Sequence, residues 1–306
     1  MLIVPNTSAE GRVDCRVTTC LLSEPYPPKG DIASLENSFF ALKAGDMRIR
    51  TYAHNGNTVI VMPGPGGCAI IHDKDLWFYC IGQLMEAKNR GVNITPTVRF
   101  AAYDFLIATE RGTSGRAYER MGGMLRRLKG TVIETNIETN GQRERCGFGL
   151  IDGWRVVEKS PSDGRMAAVE VDLPRWLFRS VEAGQVLTLS KAYWGLRKPL
   201  DRRIYELVRK HCGSQSNWRV SMAVLHQKSG SMATLRKFRF DVKALAENGE
   251  LLGYRIVFDA ERDMVVVYAC GSKGRIAEAR DVLAGRSRGP LEGPHEAGRG
   301  AALTCG

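Results

Sequence analysis

Two stretches of the sequence space their apolar residues identically. In residues 113–130, Tyr118, Met121, Leu125 and Leu128 recur at steps of three, four and three; in residues 231–248, Leu235, Phe238, Val242 and Leu245 do the same. On an α-helix each set falls on one narrow face. Each stretch follows a short apolar segment and a glycine-containing turn, "RGTSG" in one and "KSGS" in the other. Each precedes segments with strand character. After the first come "TVIETNIET", the turn Asn140-Gly141 and "RERCGFGLIDGWRVVE", which predict a β-hairpin, with a third strand in "MAAVEVDL". After the second, "GYRIVFD" and "DMVVVYAC" predict two strands around "AERD". The shared order of helix, helix, helix, hairpin indicates an internal repeat. Helix–turn–helix followed by a hairpin is the winged-helix plan, so the expected fold is α+β with two tandem winged-helix domains.

The remaining segments fit around this frame. "LWFYCIGQLMEAKNRG" predicts a helix capped by Asp73 or Asp75, with Trp77, Ile81, Leu84 and Met85 on its buried stripe. "AAYDFLIATERG" is a short helix before the first turn. "PRWLFRSVEAG", "DRRIYELVRKHCG" and "SMAVLHQKSG" are helices of the second half, with "NWRV" a short strand among them. "MRIRTYAHNGNTVIVMP" alternates about Asn55-Gly56 and predicts a hairpin. Pro63–Gly67 reads as a turn, because it lacks the Gly-Lys-Ser/Thr ending of a phosphate-binding loop. The expected organisation is a partly disordered arm over 1–34, a first domain over 35–183, a second over 184–270, and a flexible Gly-, Pro- and Arg-rich tail over 271–306. The five tryptophans are expected in packing rather than in base stacking.

Charge then narrows the function. The chain carries a net +11, and in residues 184–270 Lys and Arg outnumber Asp and Glu by 15 to 8. Such an excess favours a polyanionic partner, nucleic acid first. On the helix of 231–248 the basic residues Arg236, Lys237, Arg239 and Lys243 stand away from the apolar stripe. A basic outer face on the last helix of a helix-turn-helix serves DNA contact in the major groove. Arg236 and Arg239 are expected to read bases, since the guanidinium fork matches guanine O6 and N7. Lys237 and Lys243 are expected on phosphates. Lys228, Ser229, Ser231 and Thr234, at the turn and helix start, are candidates to hold a phosphate, with simple N-capping as the alternative for the hydroxyls. Phe240 lies on the outer face, placed either to touch a thymine methyl or to pack on the preceding helix. In the first half, Ser114, Arg116, Arg120 and Arg126 occupy the corresponding region. There Gly122-Gly123 is expected to break the helix, and Glu119 interrupts the basic face, marking a weaker reader.

At this point "FAAYDFLIATERGTSGRAYERMGGMLRRLKGTVIET", "LDRRIYELVRKHCG" and "HQKSGSMATLRKFRFDVKAL" resemble the plasmid replication initiator protein A family, over about residues 35–270. That family is similar in plan to the iteron-binding initiators of theta-replicating plasmids. The resemblance implies binding to direct repeats at a plasmid origin and opening of adjacent A·T-rich DNA. It also implies recruitment of the host initiator and helicase, and a homodimer in equilibrium with monomer whose dimeric form represses its own gene. The second domain is then the main reader, and the first supports it and carries the dimer surface.

No enzyme constellation stands out. Eight cysteines form no Cys-x-x-Cys pair, and five histidines show neither His-Glu-x-x-His nor His-x-His spacing, so no metal and no cofactor are expected. No run of about 18 apolar residues predicts a membrane span, and the N-terminus has no basic lead to a sustained apolar core, so a cytoplasmic protein is expected. The rival reading is a winged-helix transcription regulator with no replication role. Direct repeats beside A·T-rich DNA near the gene distinguish the two.

Overall fold

The computed structural model describes residues 17–19, 26–54, 56–138, 140–158 and 166–285, and every structural statement below concerns these. The chain starts with β1 (Thr18–Thr19), β2 (Lys29–Asp31) and α1 (Ile32–Glu36). A hairpin follows, β3 (Arg50–His54) and β4 (Asn57–Met62), at the place where Asn55-Gly56 predicts one. Gly56 holds φ +76°, the left-handed region that such turns require.

Next comes α2 (Lys74–Asn89), preceded by Asp73. The sequence predicts a one-sided stripe, but residues 74–84 are all buried. The reason is position. Trp77 and Tyr79 enter one apolar cluster with Phe39, Phe105, Leu125 and Trp176. Phe78 enters a second with Trp194, Tyr205, Phe238, Val242 and Val267. A helix sandwiched between two cores is buried on every side, and the charged Lys74 and Asp75 at its start then need buried partners.

The two halves then repeat each other. The first runs β5 (Thr97–Phe100), α3 (Ala102–Ala108), α4 (Gly115–Gly130), an excursion through β6 (Val132–Thr135) and β7 (Cys146–Gly149), and the hairpin β8 (Gly153–Glu158) and β9 (Met166–Asp172). After α5 (Arg175–Glu182), β10 (Val186–Thr188) and a 3-10 turn (Lys191–Gly195), the second half runs α6 (Pro199–His211), β11 (Asn217–Ser221), α7 (Met222–Ser229), α8 (Leu235–Glu247), β12 (Tyr254–Asp259) and β13 (Met264–Ala269). The sheet of the second half has the order β11-β13-β12. That of the first has β5-β9-β8, with β1 added beside β5. In both, the later hairpin strand lies in the middle and pairs antiparallel with the strand before the short helix, Val98 opposite Val171 and Trp218 opposite Val267.

This corrects the expected hairpin of the first half. The segment 146–158 is two strands, not one. It leaves β6 at Gly149, turns through the buried Leu150 and Ile151, and enters the other sheet at Gly153. A Cβ on Gly149 would lie 2.7 Å from the Ile151 carbonyl oxygen, so the turn admits only glycine. Strands β6 and β7 instead extend the early hairpin into a separate sheet, β3-β4-β6-β7. The structural counterpart of β12–β13 is therefore β8–β9. Gly122-Gly123 does not break α4, which is continuous and buries Met121, Met124, Leu125 and Leu128.

Parts of the expected arm and tail pack on the fold. Strand β2 pairs with β10, Asp31 opposite Val186. The Tyr26 hydroxyl donates to the Tyr79 carbonyl at 2.8 Å, and the Trp194 indole donates to the Tyr26 carbonyl at 3.0 Å. At the other end, α9 (Ser272–Leu283) lies on β13 and β11. There Asp281 accepts from Tyr268 at 2.7 Å and also pairs with Arg219. Residues 1–16 and 20–25 of the arm and 286–306 of the tail lie outside the described residues. Among the described residues no helix is long and apolar enough to cross a membrane, and none group as a metal cluster.

A buried polar junction joins the halves. Arg202 of α6 pairs with Asp75 of α2 at 2.5 Å, and Arg111 reaches the other Asp75 oxygen at 2.8 Å. Lys74 pairs with Glu206 at 2.8 Å, and Tyr193 donates to the second Glu206 oxygen at 2.7 Å. Arg203 donates to the carbonyls of Leu35, Glu36 and Lys228 at 2.8–2.9 Å. Burial pushes the Lys74 ammonium and the Tyr193 phenol toward their neutral forms, though Glu206 opposes the shift at Lys74. Such pairs add little net stability but are costly to break singly.

Candidate nucleic-acid interface

The α7–turn–α8 unit is set by local chemistry. Ser221 caps α7, accepting from the Val224 amide at 3.3 Å, and Gly230 ends it with φ +68°. A Cβ at Gly230 would strike Ser38 and lie 3.1 Å from the Tyr52 hydroxyl, so both conformation and space demand glycine. Thr234 caps α8, accepting from the Lys237 amide at 3.3 Å. Phe238, Val242 and Leu245 are buried and Leu235 is half-buried, as the stripe predicts.

The structure sorts the predicted side chains. Arg236 and Lys237 are exposed beside each other at the start of α8, and Lys243 is exposed two turns later. Arg236 has no ion-pair partner among the described residues. Lys237 pairs with Asp241 at 2.7 Å on the surface, a contact worth little in water. The Lys243 ammonium sits 4.9 Å over the Phe258 ring of β12.

Four predicted residues need correction or a narrower role. Ser229 is fully buried: its hydroxyl donates to the His226 carbonyl at 2.7 Å and accepts from the Ser231 amide at 3.1 Å, so it is turned inward and closes the turn. Ser231 is half-buried, and its hydroxyl accepts from Ala233 at 3.3 Å. Lys228 points back to the first half and pairs with Glu36, which also takes Lys210 at 2.6 Å and His211 at 2.7 Å. Arg239 is held by two 2.7 Å bonds to Asp263, in the turn between β12 and β13. The two bonds tie the helix to its hairpin at the surface, and they must open before Arg239 can offer its fork to a base. The Arg239 bond in turn lowers the Asp263 carboxyl below the usual range.

In the first unit, Ser114 precedes α4 exposed and makes no side-chain cap. Arg116, Arg120 and Arg126 are exposed, with no ion-pair partners among the described residues. Arg127 pairs with Asp73 at 2.8 Å. Superposing the two stripes, Met121 on Phe238 and Leu125 on Val242, puts Glu119 at the place of Arg236, Arg120 at Lys237, Gly123 at Phe240 and Arg126 at Lys243. The first face thus keeps two cations and loses the fork and the ring. Exposed cations thus stand on the outer faces of both α4 and α8, with the greater chemical variety on α8.

Of the two placements that the sequence leaves open for Phe240, the structure shows the exposed one, at 65%. The signal was present: at about 100° per residue Phe240 stands opposite the stripe, while Arg239 lies on its flank.

The chain is α+β, with two units that each carry a strand, a short helix, a longer helix and an antiparallel hairpin, and with exposed cations on the outer face of α8. Its fold is similar to the crystal structure of domains 2 and 3 of RctB, with a TM-score of 0.57 at 11% identity, over 79% of this chain and 97% of that one. The family model "Replication initiator protein A" matches residues 29–256. A protein of Wigglesworthia glossinidia brevipalpis named "Putative replication protein" is 38% identical over 239 residues, covering 78% of this chain and 87% of that one. The chain belongs to the replication initiator protein A family.

Proposed function

We propose that this initiator binds double-stranded DNA through two tandem winged helices, α8 being the main sequence reader and α4 a supporting phosphate contact. The observation that carries the reading is the outer face of α8, where Arg236, Lys243 and Phe240 are exposed while Phe238, Val242 and Leu245 are buried beneath them. The repeated sheet orders β5-β9-β8 and β11-β13-β12 support a winged helix in each half. The DNA site is a direct repeat at a plasmid origin, because two like units in one chain meet two like half-sites in the same orientation. The protein then opens adjacent A·T-rich DNA and recruits the host initiator and helicase. No chemistry of its own is assigned to it, and it works without metal or cofactor.

A monomer–dimer equilibrium, with the dimer repressing the protein's own gene, completes the reading. The edge strand β3, with Met47 and Ile49 exposed just before it, supports a dimer surface on the first unit. Ile49→Asp is expected to shift the full chain toward monomer in sedimentation; an unchanged distribution removes this surface.

The test is fluorescence anisotropy on the repeat beside the gene against a scrambled duplex, at about 0.15 M salt with competitor DNA. Preference on the order of 10³-fold or more supports the reader. Equal, salt-sensitive binding to both overturns it and leaves only an electrostatic surface. A specific palindrome bound with no effect on origin opening favours a transcription regulator.

A further inference from the structure

We propose that Phe240 is a specificity-determining residue that contacts the 5-methyl group of one thymine in the repeat; this rests on the reading of α8 as the DNA-reading helix. Phe240 is two residues from Phe238 and two from Val242, which are both fully buried. At about 100° per residue it stands within about 20° of the direction opposite the stripe. It is therefore the most outward side chain of the helix. It does not pack on α7: the ring is 65% exposed, and the charged group over it is the Lys237 ammonium, 4.6 Å from its centre.

Arg236 and Lys243 lie on one side of the ring and Lys237 on the other. A large apolar ring in the middle of a basic face is costly in water and gains when that face is covered. The covering surface must be anionic at its edges and apolar at its centre. The major groove has this character: phosphates line its walls, and the thymine methyl is its apolar feature. The Lys237 ammonium over the ring, which also pairs with Asp241, places a cation beside the same base pair. The first unit has Gly123 at the corresponding place, so methyl reading belongs to one unit alone and gives the two halves different base preferences.

The experiment uses the full-length protein and a duplex it selects from a randomised library. Each thymine of that duplex is replaced in turn by deoxyuridine, which lacks only the methyl. The wild type is expected to lose about three- to fivefold in affinity at one thymine, the scale of one buried methyl group. Phe240→Ala is expected to bind the parent duplex more weakly by a similar factor and to be indifferent to that replacement. Because Phe240 is exposed, the variant keeps the wild-type melting temperature. Tolerance of deoxyuridine at every position by the wild type overturns the proposal. So does a Phe240→Ala variant with the wild-type pattern of losses. If no duplex is enriched over random sequence, the reading of α8 itself fails, an outcome distinct from specific binding that ignores the methyl.

Discussion

At the scale of single residues, the difference between a free and a spent cation decides the roles. Arg236 is exposed with no ion-pair partner among the described residues; if α8 reads DNA as proposed, Arg236→Ala is expected to cost about 1–3 kcal/mol on the specific duplex and relax one base position. Lys243→Ala is expected to weaken all duplexes alike and reduce the salt slope by about one; competition titrations at several salt concentrations check both. Arg239 is already committed to Asp263. Arg239→Ala and Asp263→Ala should therefore have similar effects that do not add, which a double-mutant cycle measures. The core stripe and the basic face were legible from spacing. The Arg239–Asp263 pair was not, because the partners are 24 residues apart and meet only through the turn of the hairpin. The buried place of Ser229 was hidden likewise: a serine beside a glycine reads as a cap, and only packing shows its hydroxyl turned inward.

At the scale of elements, α7, the turn and α8 follow from Ser221, Gly230 and Thr234, all of which act at the positions their types predict. Gly230→Ala forces a Cβ into the left-handed region and against Ser38 and Tyr52, so a loss of at least about 1–2 kcal/mol is expected in urea unfolding. The sheets were less legible. "TVRF" is too short to announce β5 between two helices, and the alternation from Cys146 to Glu158 runs on through the sheet change at Leu150 and Ile151. Helix α2 shows the same limit: its amphipathic period is erased because both halves pack on it.

At the scale of the whole molecule, the buried junction ties α6 to α2 and α1. Arg202→Met leaves Asp75 buried without that partner and is expected to cost about 3–5 kcal/mol in stability. Glu36 adds a pH dependence. Burial raises its carboxyl, but hydrogen bonds from His211, Lys210 and Lys228 outweigh this and hold it well below the ordinary 4.5. The folded chain therefore takes up this proton less readily than the unfolded chain. The contribution is full above pH 4.5 and is lost as the pH falls below it toward the folded value, and Glu36→Gln should flatten that acid limb of the stability curve.

The most direct measurement of α8 as the reader is methylation interference at guanine N7 across the bound repeat, with wild type and Arg236→Ala. N7 lies in the major groove, where a bidentate arginine sits. Interference at one guanine with wild type, lost with Arg236→Ala, is the expected result. Binding by the wild type that ignores N7 methylation throughout the repeat would contradict the placement of α8 in the groove.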